Sequence, residues 1–132
     1  MINKPKILVV EDEIESRKYL QLLLRKKFDL DYCDTKNSVF NYLKEKKYSV
    51  IIMDISLKND FSGIDLIKEL KRKPSYMTIP IICLSAHAYG EDRRKAEELG
   101  ADIYLTKPVT NKVLLSTLDN LIGTKNGEEA KA

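Results

Sequence analysis

The stretch VIIMD, Val50–Asp54, is a continuous apolar run that ends at a single carboxylate. An apolar run without polar alternation is typical of a strand buried on both faces, as in a parallel sheet. Such a strand delivers its last residue to one edge of the sheet. Asp54 is therefore a capping residue, a metal ligand or a reactive carboxylate, and the ends of the neighbouring strands must decide among these roles.

Four other segments read as strands, and three of them are also followed by chemically useful side chains. They are residues 7–10, followed by Glu11 and Asp12; residues 28–33; residues 79–84, followed by Ser85; and residues 102–106, followed by Lys107. A segment with helical spacing follows each strand. This alternation predicts an α/β fold, a doubly wound (βα)5 parallel sheet with helices on both faces. We expect one domain over residues 1–123 and a polar, disordered tail over residues 124–132.

The composition limits the classes of function. The chain has 132 residues, of which 43% are hydrophobic and 33% are charged, as in a globular domain with a hydrophobic core. Its net charge of +3 is spread along the sequence, so we expect no direct binding to nucleic acid. The N-terminal apolar run is too short for a signal peptide or a membrane span, so we expect a cytoplasmic protein without membrane contact. Cys33 and Cys83 lie in apolar stretches and are predicted to be buried free thiols.

The carboxyl ends of parallel strands meet at one edge of a sheet, where ligands bind in open α/β folds. Glu11, Asp12 and Asp54 should therefore lie close together. Packed carboxylates repel one another and are costly to desolvate, and a divalent cation relieves both problems. Oxygen ligands suit Mg²⁺, so we expect Asp12 and Asp54 to bind it directly, and Glu11 directly or through water. The backbone carbonyl of Ser56 is a further candidate ligand.

A carboxylate in this setting can also act as a nucleophile that accepts a phosphoryl group. The charge on the phosphoryl oxygens then needs neutralisation by a metal, a cation and a hydrogen-bond donor. Lys107 and Ser85 can supply the last two. Taken singly, Asp54 reads as a cap, Ser85 as a turn residue and Lys107 as a solvated lysine. Their joint placement at one sheet edge favours a reactive site.

The motifs ILVVEDE, VIIMD, IICLSA and GADIYLTKP, in this order, resemble the receiver domain of two-component response regulators, with chemotaxis regulators among the similar proteins. The resemblance covers roughly residues 6–122. It implies a flavodoxin-like strand order, 2-1-3-4-5. It also implies a signalling switch rather than an enzyme, although such a domain catalyses its own Mg²⁺-dependent phosphorylation and dephosphorylation. The phosphoryl group would come from a sensor histidine kinase or a histidine phosphotransfer protein.

The same resemblance assigns roles to individual residues. Asp54 would be the phosphoacceptor, with Lys107 and Ser85 as catalytic residues. Ser85 and Tyr104 would carry the signal to the face formed by the fourth helix, the fifth strand and the fifth helix, which binds a downstream protein target or a second copy. Ser56 and His87 would set the lifetime of the phosphate, and the Lys107-Pro108 peptide bond is a candidate for the cis form.

The first helix of a receiver domain is the usual docking face for the histidine donor. Leu22 on this helix and Leu115 on the last one are surplus apolar residues. Core placement is the default expectation for each, and contact with a partner is the alternative. One departure from the family pattern concerns the loop over residues 57–62. Lys58 stands where a proline is common, and Gly63 comes nine residues after Asp54 rather than eight. We therefore expect this loop to be one residue longer than usual.

Three other interpretations share this topology or this chemistry. A flavodoxin-like cofactor module is disfavoured because the acidic segment EDEIES, residues 11–16, would repel an anionic phosphate. A hydrolase of the haloacid-dehalogenase type needs a second aspartate where this chain has Ser56. A receiver that acts only through protein contacts would not bind Mg²⁺.

Overall fold

The computed structural model describes residues 4–55, 63–86 and 90–123, in which five strands alternate with five helices. Ser56, the 57–62 loop, His87 and the 124–132 tail lie outside the described residues, so the predictions made for them stay predictions. The strands are β1 (Lys6–Val10), β2 (Asp29–Cys33), β3 (Val50–Asp54), β4 (Ile81–Ser85) and β5 (Ile103–Thr106). The helices are α1 (Ile14–Leu24), α2 (Lys36–Glu45), α3 (Gly63–Arg72), α4 (Glu91–Glu98) and α5 (Asn111–Leu118), and α5 continues into a π-helical turn, Asp119–Gly123.

The strands pair in parallel in the order β2-β1-β3-β4-β5, which confirms the predicted topology. Asp54 lies opposite Leu84 in the register of β3 and β4, and Ser85 lies opposite Thr106 in that of β4 and β5. The chain order reverses between β1 and β3, which is where open α/β sheets form their binding crevice. The topology therefore places the crevice at the ends of these two strands.

Alternate strand residues supply two separate cores. Ile7 and Val9 of β1 pack on the side of α1 and α5, with Leu20 and Leu114. Leu8 of β1, and the residues of the other strands that face the same side of the sheet, pack on the side of α2, α3 and α4. Because both faces are covered, the strands carry continuous apolar runs instead of alternating ones. The fold thus explains the sequence pattern from which it was predicted.

Local chemistry sets the ends of several elements. Thr35 and Thr110 are N-caps, and their hydroxyls accept from the N–H groups of Ser38 (3.1 Å) and Val113 (3.2 Å). Each cap satisfies one amide that the first helical turn leaves unpaired. The Lys107-Pro108 peptide bond is cis, as anticipated.

Two details differ from the sequence pattern. β4 begins at Ile81 instead of residue 79, because Pro80 has no N–H to donate to the ladder. The Pro80 carbonyl still accepts the Ile51 N–H at 2.9 Å. The helical spacing of the apolar residues in the first helix predicts that Ile14 faces the core, but Ile14 is 64% exposed and is a surface residue. None of the described helices is long and apolar enough to cross a membrane.

Both cysteines are buried and free, as predicted. Burial raises the pKa of the Cys33 thiol to about 12, and it does the same for Cys83. Because the thiolate is the reactive form, we expect neither cysteine of the native protein to react with a thiol reagent at neutral pH. Both should react after unfolding in denaturant, which a colorimetric thiol assay measures. Rapid labelling of the native protein would contradict this placement.

Candidate functional site

The ends of β1, β3 and β5 bring Glu11, Asp54 and Lys107 together. Glu11 follows β1, and its N–H donates to the Cys33 carbonyl at 3.0 Å. Lys107 follows β5, and its N–H donates to the Ser85 carbonyl at 2.7 Å. These bonds extend the pairing of each strand with its neighbour by one residue. Both side chains therefore start from backbone that is hydrogen-bonded to a neighbouring strand at the edge of the sheet.

Lys107 bridges the two buried carboxylates. Its Nζ lies 2.8 Å from Asp54 Oδ2 and 3.3 Å from Glu11 Oε1. The Asp54 and Glu11 side chains are only 3% and 1% exposed, whereas that of Lys107 is 27% exposed. The lysine therefore reaches from the edge strand β5 to carboxylates at the ends of β3 and β1. Its ammonium is the charge partner of both carboxylates.

Asp12 adds a third carboxylate to this site. One oxygen each from Glu11, Asp12 and Asp54 lie within 4.8 Å of one another. If all are ionised, three carboxylates and one ammonium leave a net charge of −2, which matches a divalent cation. The donor set consists of oxygen atoms, and Asp12 is partly exposed, so water can complete the coordination. This chemistry fits Mg²⁺, which keeps several waters when it binds to proteins.

The electrostatics of the site show how crowded its negative charge is. Burial, together with the hydrogen bond and the charge of Asp54, raises the pKa of Glu11 to about 7, even though Lys107 acts in the opposite direction. Burial alone would lower the pKa of Lys107, but Asp54 and Glu11 together hold it above its usual value. The protein's own cation therefore does not fully compensate the carboxylates, and a bound metal ion would.

Arg17 is a site residue that sequence reasoning missed. Its Nε donates to the Glu11 carbonyl at 2.7 Å, and its guanidinium lies 3.4 Å from the Asp34 carboxylate. It therefore ties the loop after β1 to the loop after β2. The one sequence feature that could have pointed to Arg17 is its position on the first helix, just after the acidic run. Charged residues are common at such positions, so this feature does not single Arg17 out.

Ser85 and Tyr104 take different places relative to the carboxylates. Ser85 is fully buried at the end of β4, one residue beyond the partner of Asp54 in the sheet register. Tyr104 belongs to the core on the α2–α4 side and is 9% exposed. The Arg93 guanidinium lies 5.4 Å from the centroid of the Tyr104 ring. The structure thus brings the carboxylates and Lys107 together and places Ser85 beside them. Tyr104 lies on the face of β5 that packs against α4.

A largely apolar cleft of about 410 Å³ opens beside Glu11 and Lys107. Tyr19 and Leu20 of α1 form one wall, and the segment that follows β5 forms the other. The Tyr19 hydroxyl donates to the Val109 carbonyl at 2.8 Å and joins the two walls. A largely apolar surface, formed by α1 on one side and by the segment after β5 on the other, therefore borders the site.

Comparison with known proteins gives a consistent result. A family model described as the response regulator receiver domain matches residues 7–119. The chain is 37% identical over 114 residues to the phosphate regulon transcriptional regulatory protein PhoB of Escherichia coli, an alignment that covers 86% of this chain and 49% of PhoB. It is 32% identical to part of the hybrid signal transduction histidine kinase I of Dictyostelium discoideum, covering 89% of this chain and 7% of that protein. The chain therefore spans about half the length, or less, of these curated relatives.

A solved structure adds a comparison at the level of the site. The receiver domain of a sensor histidine kinase from Pseudomonas aeruginosa, crystallised with a magnesium ion in its active-site cleft, is 25% identical. It superposes with a TM-score of 0.82, and the match covers 92% of this chain and 99% of that one.

Proposed function

The chain belongs to the family of response regulator receiver domains, the signalling switches of two-component systems, and on this premise we propose that Asp54 is its phosphoacceptor. One observation carries the proposal. Asp54 is buried, lies 2.8 Å from the Lys107 ammonium, and shares the crevice with Glu11 and Asp12. Family membership also decides against the flavodoxin-like module and the haloacid-dehalogenase-type hydrolase.

The chemistry that we propose is transfer of one phosphoryl group. Receiver domains interact with histidine kinases or phosphotransfer proteins. An oxygen of Asp54 forms the new bond to phosphorus while the bond between phosphorus and the donor nitrogen breaks. The electron pair leaves with that nitrogen, which takes up a proton from solvent. Later attack of water on phosphorus releases inorganic phosphate and restores the carboxylate, so the domain also catalyses its own dephosphorylation.

The side chains around Asp54 have separate tasks in this proposal. Lys107 already contacts Asp54, so it can pair with a phosphoryl oxygen without reorganisation. Ser85 offers a hydroxyl from the next strand. Ser56 and His87 are proposed to set the lifetime of the phosphate. Glu11, Asp12, Asp54 and the Ser56 carbonyl would hold Mg²⁺, which when bound supplies positive charge to the carboxylates and to the phosphoryl oxygens.

The direct test of this function is phosphorylation by a small phosphodonor such as phosphoramidate. The wild-type protein should take up one phosphoryl group when Mg²⁺ is present, and chelation of the metal should stop the reaction. Equal labelling with and without Mg²⁺ would contradict the proposed role of the carboxylate cluster.

The Asp12→Asn variant should bind Mg²⁺ about tenfold or more weakly, because it loses one carboxylate ligand. Isothermal titration calorimetry measures the difference. Asp92→Asn is the matched control, since it makes the same charge change on the exposed surface of α4. Equal affinities in both variants would remove Asp12 from the metal site. Absence of Mg²⁺ binding in the wild type would favour a receiver that acts only through protein contacts.

The signal is proposed to pass through Ser85 and Tyr104 to the surface of α4, β5 and α5, where it changes the affinity for a protein target or for a second copy. The Arg93→Ala variant should expose the Tyr104 ring, because it removes a cation–π contact of roughly 0.5–1 kcal/mol. Fluorine NMR of protein labelled with fluorotyrosine, with the signal assigned through Tyr104→Phe, reports this exposure.

Arg94→Ala is the control for that experiment. Arg94 lies on the same helix and pairs with Glu91 (2.6 Å) and Glu98 (3.0 Å). Both variants therefore lose helix-surface ion pairs, but only Arg93→Ala should move the Tyr104 signal. A signal that moves equally in the two variants would show a general effect on α4 and not control of the ring.

The histidine-bearing partner is proposed to dock on α1. Ile14 and Leu22 of this helix are 64% and 65% exposed, and they lie on the helix that forms one wall of the cleft. The exposure of Leu22 rules out the core placement that is the default for an apolar residue, and leaves it available for a partner contact. Leu115 is half-buried against the α1–α5 core, which leaves less of it for a partner.

A further inference from the structure

The N-terminal edge of the sheet, opposite the carboxylate cluster, concentrates the basic residues of the chain. Segments 4–6, 25–29, 44–49 and 71–80 lead into β1, β2, β3 and β4, and together they carry 11 basic and 2 acidic residues. The whole chain has 23 basic and 20 acidic residues, so 12 and 18 remain elsewhere. The four segments therefore carry a formal charge of +9, and the rest of the chain carries −6.

These segments form one surface, which we call the basic edge. Lys4 Nζ donates to the Arg25 carbonyl at 3.0 Å, and the Ser49 N–H donates to the Lys6 carbonyl at 2.8 Å. The segments before β3 and β4 share a cleft of about 210 Å³, whose walls include Lys47. The basic edge therefore runs without a break across four neighbouring strands.

Charges within the protein neutralise only part of this surface. Asp31 binds Lys46 at 3.1 Å and Asp102 lies 3.5 Å from Lys71, which reduces the formal charge to +7. Helices α1, α2 and α3 also end at this edge, and their carboxyl ends contribute about −0.5 each, roughly −1.5 in total. Stabilisation of helix ends therefore accounts for a minority of the basic residues. The surface stops at β4, because α4 ends in Glu97 and Glu98 beside β5.

We propose that the basic edge binds the phosphate backbone of nucleic acid without sequence specificity. Phosphate contacts need only positive charge, and duplex DNA carries about one negative charge per 1.7 Å of its axis. Four strands at about 4.8 Å spacing make an edge about 14 Å wide, which faces roughly eight such charges. The expectation of no nucleic-acid binding rested on charge scattered along the sequence, but the fold gathers dispersed lysines at one edge, so that argument does not support the expectation.

Two other kinds of partner fit this surface less well. Membrane association gains much of its strength from buried apolar area, and Met77 is the one large exposed apolar side chain of the described residues within these segments. Acidic protein surfaces usually intersperse both signs of charge, whereas a nucleic acid presents an unbroken row of anions. The basic edge also lies at the opposite end of the strands from Asp54, so nucleic acid and a histidine donor can bind together.

Fluorescence anisotropy with a short duplex DNA of about 20 base pairs tests the proposal. The plot of log K against log salt concentration should have a slope of about −5 between roughly 50 and 200 mM salt, from five to six uncompensated charges. A variant with Lys26→Gln, Lys27→Gln and Lys47→Gln should bind about tenfold or more weakly at the lower salt concentration, with a slope of about −2. Asp54→Asn should bind as the wild type does, which separates this result from phosphorylation.

The control variant carries Lys18→Gln, Lys95→Gln and Lys112→Gln, which are exposed lysines outside the basic edge. Both triple variants lower the net charge from +3 to 0, so only the position of the lost charges differs. The control should keep the wild-type affinity and slope. An equal loss in the two variants, or no salt-dependent binding by the wild type, would overturn the proposal. Binding to anionic lipid vesicles at salt concentrations where duplex DNA is released would overturn it in favour of a membrane surface.

Discussion

The Asp54→Asn variant is expected to take up no phosphoryl group under conditions that phosphorylate the wild type fully. An amide oxygen is a far weaker nucleophile than a carboxylate, so the rate should fall on the order of 10³-fold or more. The amide oxygen can still accept from Lys107, whose Nζ lies 2.8 Å from Asp54 Oδ2, so the local structure should survive. Radiolabelling or a phosphate-affinity gel measures the loss.

The control for this variant is again Asp92→Asn, which should be phosphorylated like the wild type. Thermal unfolding should show that Asp54→Asn is at least as stable as the wild type, because it removes one of two neighbouring buried carboxylates. Labelling of Asp54→Asn at the wild-type rate would assign the phosphate to another residue.

The Lys107→Met variant is expected to lose about 10²–10³-fold in phosphorylation rate at saturating Mg²⁺. Methionine has a similar length but no charge, so the site loses the cation that faces both Asp54 and Glu11. The ammonium is already in place before the reaction, which is why its loss should affect the rate strongly. The rate constant for labelling by phosphoramidate is the quantity to measure.

Lys112→Met is the matched control, since Lys112 is exposed on α5. Circular dichroism and Mg²⁺ titration of Lys107→Met separate a catalytic loss from a folding or metal-binding loss. A folded variant that binds Mg²⁺ and is phosphorylated within about threefold of the wild-type rate would remove Lys107 from the catalytic role.

Much of the site follows from a single physical rule applied to the sequence. Apolar runs predicted parallel strands, and parallel strands end at one edge, so Glu11, Asp54 and Lys107 had to converge there. The structure bears out this convergence. It also shows that the Lys107 ammonium contacts two carboxylates, those of Asp54 and Glu11, because the lysine side chain extends across the ends of β4 and β3. Sequence spacing carries no information about such a reach, which depends on side-chain conformation.

The basic edge could have been found by the same rule. The connections from each helix to the next strand all lie at the opposite edge of the sheet, so the lysine-rich ends of α1, α2 and α3 had to meet there. Dispersal along the chain conceals this, because neighbouring segments are separated in sequence by a whole helix. Arg17 is different, since its contacts with Glu11 and Asp34 depend on the rotation of α1 about its axis. That rotation is set by core packing.

The central claim is that Asp54 accepts a phosphoryl group with the help of its carboxylate neighbours. The most direct measurement is mass spectrometry of the wild-type protein after incubation with phosphoramidate, with and without Mg²⁺, followed by mapping of the modified peptide. We expect one phosphoryl group per chain, only with Mg²⁺, on the peptide that contains Asp54. A phosphoryl group on a peptide without Asp54, or the same yield without Mg²⁺, would contradict the claim.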